Sequence, residues 1–460
     1  ATTFRWQVNT GSGFVNINNG ATYSTAASNT LNINSATTAM NNYTYRVVTT
    51  GNCQPNDTSS IVSLSVTNIR YVKQGGAGNL SGSSWSNASG DLQLMINQSC
   101  PNSEIWVATG TYKPNRPANN LSIIDVNNRD NAFVLKADVK IYGGFPSTGN
   151  PDMTQRDWNT NITTLSGDIG TVNDSTDNCY HVVISSSEAG TAELNGFTIT
   201  KGNANGNSNS YLVVNGNLLY NNDGGGMFNF SSSPTISNCT FTKNTADSDG
   251  GGMFNFSSFP TISQCTFTEN TSSNRGGGMS NISSSPTITI SSFTRNTTSN
   301  NGGGISNTSS SSPTISNCTF SGNSAVKDGG GMYNNNFSSP KVSNSIISGN
   351  SALNDGGGMY NYYHSSPIVS NSTISGNSAV KDGGGMFISS SSITVRNSII
   401  YGNRPGFYNT YNNSNITYSI IQGGYSGIGN LDVDPLFINA PSYTTAPFTG
   451  GNYRLQPCSP

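Results

Sequence analysis

In the second half of the chain, apolar residues come as short Val, Ile, Thr and Phe runs, each closed by Gly, Asn or Ser, and no repeat carries helical spacing. Such runs read as strands. They recur in register. Gly-Gly-Gly triplets begin at Gly224, Gly250, Gly276, Gly302, Gly329, Gly356 and Gly383, in steps of 26, 26, 26, 27, 27 and 27 residues. The unit reads GGG, Met, aromatic, Asn, a Ser-rich run and then Pro-Thr-Ile-Ser-Asn-Cys-Thr-Phe, which predicts about three strands per turn. A fixed period in this range marks a solenoid. The expected fold is all-β, a right-handed parallel β-helix with coils of 26–27 residues.

Alignment on the triplets turns each repeat position into a column stacked at roughly 4.8 Å per coil. Met227, Met253, Met279, Ile305, Met332, Met359 and Met386 form one apolar column, and Phe241, Phe267, Phe293, Phe320, Ile347, Ile374 and Ile400 another. Together they should fill the interior. Asn244, Asn270, Asn296, Asn323, Asn350, Asn377 and Asn403 make an unbroken polar column, with Asn229, Asn255, Asn281, Asn307, Asn334 and Asn361 nearly a second. Stacked amides bond coil to coil and satisfy turn backbone, so their expected role is structural. Cys239, Cys265 and Cys318 share a column with Ser291, Ser345, Ser372 and Ser398, which marks a small inward filler. Side chains in register point the same way, which argues against a Cys239–Cys265 disulfide. The chain has seven cysteines, so at least one lacks a partner within it.

Residues 68–200 read as an N-terminal cap and irregular first coils, 201–405 as the regular repeats and 406–460 as the last coils and C-terminal segment. Within Ser86–Ser99, Ser89 or Asp91 offers a helix start and Leu92, Leu94, Met95 and Ile96 an apolar face, predicting a short helix over the open end of the solenoid. The phrases EIWVATGTYKP, IYGGF, QRDW, TTLSGDIG, DNCYHVV and LNGFTITKGNANG follow in order, with DPLFINA and NYRLQPCSP near the end. Over residues 68–458 this set resembles the secreted parallel β-helix repeat proteins of Bacteroidota, in the pectate-lyase-like superfamily, with similar repeats in chlamydial polymorphic membrane proteins. Residues 1–67 differ. Trp6 and the run Tyr43–Val48 resemble the later strands of an immunoglobulin-like β-sandwich, which would make Trp6 a buried core tryptophan and Tyr45 its corner tyrosine. Val47 stands where that family has cysteine, and only five residues precede Trp6. The module is therefore expected to be partial, in a window on a longer polypeptide or completed by strands of a neighbouring copy.

Charged residues are only 9% of the chain and net charge is −2, so the surface is hydrogen-bonding rather than ionic and nucleic acid is excluded as a partner. No apolar run approaches the roughly 18 residues of a transmembrane helix, and the N-terminus has no signal-peptide pattern. Asp168, Asp174, Asp177 and Asn178 crowd one loop and are the candidate calcium ligands, calcium being the one cofactor the sequence suggests. The residue before each triplet reads Asp223, Asp249, Arg275, Asn301, Asp328, Asp355 and Asp382. Turn acids bonding backbone explain this column better than a calcium-binding edge. Phe228, Phe254, Tyr333, Tyr360 and Phe387 form an aromatic stripe expected to face outward, for glycan stacking or for packing against a loop. His181 and His364 are the only histidines and are expected to be structural or incidental.

The repeats offer few acids for the carboxylate clusters that polysaccharide-cleaving relatives use, so the sequence predicts no enzymatic activity. It predicts an extracellular or cell-surface structural protein of bacteria, a filament subunit or adhesin, with neighbouring copies or segments of the same fibre and surface glycans as partners. The alternative is a carbohydrate-binding or polysaccharide-cleaving rod. An acidic cluster with a basic residue on one face would favour the alternative; a bare Ser/Thr/Asn surface would favour the first.

Overall fold

The structure, a computed structural model, describes residues 3–34, 36–51, 57–64, 66, 68–187, 191–410 and 414–460. Two compact units divide the chain: residues 1–69 with 102–104, and residues 70–101 with 105–460.

In the first unit, strand Thr3–Asn9 pairs antiparallel with Phe14–Asn16 on one side and with Thr44–Thr50 on the other. Val8, Ile17, Ala26 and Tyr45 make a small core. Trp6, expected to be buried, is only half-buried at the rim of this cluster, where its indole N–H donates to the Ser28 carbonyl at 3.0 Å. The Tyr45 hydroxyl lies 3.1 Å from that of Tyr23.

The second unit is the solenoid. Its repeats stack in parallel and in register, Met227 on Met253 on Met279 in one sheet, Ile236 on Ile262 on Ile288 in a second and Phe241 on Phe267 on Phe293 in a third. The structure adds a fourth sheet of seven very short strands, among them Thr245–Ala246, Thr271–Ser272 and Ser324–Ala325. Two-residue strands are too short for an alternating pattern to show, hence the expectation of about three per turn. Both apolar columns line one continuous core, and Phe241, Phe267, Phe293 and Phe320 stack face to face at 4.6–4.9 Å. At the N-terminal end of this core, helix Leu92–Gln98 buries Leu92, Met95 and Ile96, with the Asp91 carboxylate capping the Leu94 N–H at 2.8 Å.

Two distinct constraints explain the triplets. The first glycine has a left-handed backbone, φ +67° at Gly224 and +70° at Gly250. The second and third lie too close to the next coil for a side chain: a Cβ at Gly225 would sit 2.1 Å from the Thr245 carbonyl oxygen, and one at Gly226 2.4 Å from that of Gly252.

A change of residue type within another column has a similar cause. After the third-sheet strand the column runs Lys243, Glu269, Arg295, then Gly322, Gly349, Gly376 and Gly402, all with positive φ. Side chains are thus tolerated until Gly322, where the C-terminal segment folds back onto the solenoid. Phe448 donates its N–H to the Gly349 carbonyl at 2.9 Å, and a Cβ on Gly349 would meet the Phe448 carbonyl oxygen at 2.4 Å. Gly349→Val should therefore displace this strap, seen as faster proteolysis within residues 437–455. Cleavage at the wild-type rate would show that the contact does not hold the segment.

Candidate functional site

The Asn columns are buried ladders. Each amide of the first donates Nδ2–H to the Oδ1 of the next coil at 2.9–3.0 Å, from Asn244 to Asn403, and the second is linked in the same way from Asn229 to Asn361 at 2.7–2.9 Å. The Ser-rich run conceals another ladder. Backbone N–H groups of Ser232, Ser258, Ser284, Ser311, Ser338 and Ser365 donate to the serine hydroxyl one coil on, at 2.9–3.1 Å. In the Cys/Ser column the thiol or hydroxyl faces the carbonyl two residues back, which is why the two residue types interchange. Cys53 lies outside the described residues, and the other six cysteines are free thiols.

The candidate calcium ligands bond largely within their own loop, while Asp177 Oδ1 and the buried Asn178 Oδ1 have no partner among the described residues. Asp168 pairs with the Lys201 ammonium at 2.5 Å and accepts the Asn173 N–H; Asp177 accepts from Thr171 N–H, and Asp174 from Thr176. Lys201 holds the Asp168 carboxyl below its usual range against the opposing effect of burial. Among the described residues no three His, Cys, Asp or Glu side chains converge as a metal site.

His181 is buried with a ring nitrogen 3.0 Å from the Gly224 carbonyl, and burial depresses its pKa to about 4, so it is neutral at pH 7. His364 stacks on Phe337 at 5.0 Å.

The aromatic stripe does not simply face outward. Phe228 and Phe254 are 1% and 4% exposed, because hairpin Tyr211–Val214/Asn217–Tyr220 and residues Ala118, Ala132 and Val134 cover them. This is the packing alternative. Tyr333, Tyr360 and Phe387 continue the column as a parallel stack at 4.9–5.2 Å. Ring faces are thus spent on each other.

The hairpin also builds the wall of a groove. Leu218 and Tyr220 lie opposite Phe230, Phe256 and Ile282, and Asp223, Ser248, Asp249 and Arg275 complete a cavity of about 400 Å³. Phe230 and Phe256 stack on each other at 5.1 Å. The register of the coils fixes the charged groups, since Asp223, Asp249 and Arg275 are one repeat position in successive turns. The Asp249 N–H donates to Asp223 Oδ1 at 2.9 Å. Arg275 grips Asp249 with its terminal guanidinium nitrogen 3.1 Å from Oδ2 and Nε 3.3 Å from Oδ1, while Asn274 donates to Oδ1 at 2.9 Å. Burial, then the Asp249 charge, lifts the Asp223 carboxyl to about 6. Burial also raises Asp249, with Arg275 opposing it.

The reading of this column as turn acids is therefore incomplete. Asp328 and Asp355 do bond backbone, each accepting the N–H of the following coil at 3.2 and 3.0 Å. At Asp223 and Asp249 the same geometry lies in an aromatic groove beside an arginine. One carboxyl that changes charge near pH 6 adjoins an ion-paired one, which suits proton donation, while the guanidinium and aromatic walls suit a polyhydroxylated ligand. The Asp-Asp-Arg succession was visible in the sequence, but nothing in the repeat indicates that residues 211–220 fold over it.

A family described as the right-handed β-helix region matches residues 171–320 and 291–433. No curated protein matches the chain significantly. Among solved structures, the chain is similar to pectate lyase Pel9A, at 12% identity and TM-score 0.47, covering 85% of this chain and 90% of that one. It is also similar to the Dettilon tailspike protein (11%, TM-score 0.35, covering 79% and 67%) and to a family 28 exopolygalacturonase of Yersinia enterocolitica (10%, TM-score 0.26, covering 85% and 81%). These likenesses concern the fold. The expectation of no enzymatic activity is corrected, because two of these fold relatives, the lyase and the exopolygalacturonase, are enzymes and the fold gives no ground for that exclusion.

Proposed function

The chain belongs to the right-handed β-helix family, and from that premise we propose that it is a polysaccharide-binding solenoid that holds a glycan in the groove of Asp223, Asp249 and Arg275, with Asp223 placed to protonate a glycosidic oxygen. The observation that carries this reading is the convergence of two carboxyl groups, a guanidinium and stacked aromatic rings in one cavity of about 400 Å³. A bare Ser/Thr/Asn surface would have favoured a purely structural or adhesive rod. An apolar rim accepts the C–H faces of sugar rings, while Arg275 and the acids pair with hydroxyl or carboxylate substituents. A carboxyl group with a pKa of about 6 keeps a useful protonated fraction in mildly acidic solution.

Calorimetry with neutral (cello-, xylo-) and acidic (galacturono-) oligosaccharides tests this. At least one series should bind, and Arg275→Ala and Phe256→Ala should each weaken it about tenfold, the effect of losing roughly 1.4 kcal/mol of contact. Any release of new reducing or unsaturated ends should vanish in Asp223→Asn. Binding indifferent to Arg275 and Phe256 would place the ligand elsewhere and overturn the reading.

A further inference from the structure

The aromatic column is broken at one place. His181, Phe228 and Phe254 form one parallel stack, at 5.3 and 5.0 Å, and Tyr333, Tyr360, Phe387 and Tyr408 another, at 4.9–5.2 Å. The positions between are Ser280 and Ser306, paired in register with Phe254 before them and Tyr333 after them. Three strand spacings of roughly 4.8 Å set the ring planes of Phe254 and Tyr333 about 14 Å apart. Since each ring is parallel to its stack, the two end faces are turned toward each other across the serines.

The floor of this gap is unusual. Ser280 and Ser306 are fully buried, and their hydroxyls have no hydrogen-bond partner; neither has the adjacent Thr308 hydroxyl. Other small residues of these coils use their hydroxyls, as the serine ladder does, and a buried hydroxyl left unpaired costs about 1 to 3 kcal/mol. Arg275 stands beside the gap in the neighbouring column and also lines the groove, with its side chain 31% exposed. Its pairing with Asp249 is therefore open to solvent on one side and can be exchanged for a ligand.

We propose that the gap is a second sugar subsite, continuous with the groove and closed in the unliganded protein. A pyranose ring enters between the faces of Phe254 and Tyr333, its hydroxyls pair with Ser280, Ser306 and Thr308, and Arg275 turns aside to admit it. The proposal rests on the glycan reading of the groove and adds the direction of the chain, along the solenoid from the coil of Asp223 toward that of Tyr333.

The test fills the gap. Ser280→Phe with Ser306→Tyr rebuilds the missing column, which neighbouring coils show the fold accepts, and Ser280→Ala with Ser306→Ala removes only the hydroxyls. Calorimetry with the galacturono- and cello-oligosaccharides, from disaccharide to hexasaccharide, gives the readout. The filled variant should bind the shortest ligands as the wild type does and lose about tenfold or more for the longer ones; the alanine variant should lose several-fold, again for the longer ones only. Unchanged affinity for long ligands in both variants, or a high-resolution structure with fixed waters on the two serines in the glycan complex, would overturn the subsite. If short ligands bind but ignore Arg275→Ala, the groove reading fails instead. Absence of binding by every ligand overturns both.

Discussion

Replacing Asn323 by leucine should lower stability by about 1 to 3 kcal/mol. The amide is fully buried and makes four side-chain bonds: its Oδ1 accepts from the N–H and Nδ2–H of Asn296, both at 3.0 Å, and its Nδ2 donates to the Phe293 carbonyl at 2.8 Å and to Asn350 Oδ1 at 2.9 Å. Two of these partners have alternatives, since Asn296 Nδ2 also reaches the Phe267 carbonyl and Asn350 Oδ1 also accepts the Asn323 N–H. The Phe293 carbonyl keeps its place in the parallel ladder with Thr319–Ser321, so the Asn296 N–H alone is left with nothing, and such a buried orphan costs roughly 1 to 3 kcal/mol. Leucine keeps asparagine's branching while replacing its polar ends with methyl groups, so the hydrogen bonds are what it removes. Because stability in a solenoid passes from coil to neighbouring coil, the defect should appear as a lower urea midpoint with early loss of the coils flanking residue 323. A midpoint equal to wild type would mean that the column is not the polar spine described above.

The second large effect is electrostatic. The Asp223 carboxyl has a folded pKa of about 6 against an ordinary 3.8, so between these values the folded state holds a proton that the unfolded chain releases. Its contribution is therefore greatest below about pH 4 and is lost as pH rises through 6, at most about 3 kcal/mol for a shift of this size. Asp249, Asp328 and Asp355 are raised by burial and act in the same sense. His181, held at about 4 against an ordinary 6.5, acts in the opposite sense over the same range, so the difference between two proteins isolates Asp223: relative to wild type, Asp223→Asn should gain stability steadily from pH 4 to pH 7 and be the more stable protein at pH 7. Parallel curves for the two proteins would show that Asp223 titrates normally and that its place in the groove is solvated.

The solenoid was legible in the chain because one coil is written seven times, and a column of Met, Phe or Asn has only one explanation when it recurs at a coil's length. Two-residue strands such as Ser324–Ala325 left no trace, because two residues cannot display a period. The glycines at 322, 349 and 376 were visible as a change of residue type, but the partner that demands them, Phe448, lies far along the chain. The groove was half legible. Asp223, Asp249 and Arg275 were read as a column, yet their surroundings depend on the hairpin of residues 211–220, which interrupts the repeat and has no counterpart in the later coils. The stripe from Phe228 to Phe387 was seen in full, while its burial depended on the same interruption.

The claim that this groove is a glycan site is tested most directly by a structure of the protein in complex with the oligosaccharide that binds it most tightly. The account predicts sugar rings against Phe256 and Tyr220, with a ligand oxygen in hydrogen-bond contact with Asp223 and another with Arg275. An oligosaccharide bound on any other face of the solenoid, with Arg275 still closed on Asp249, would contradict it.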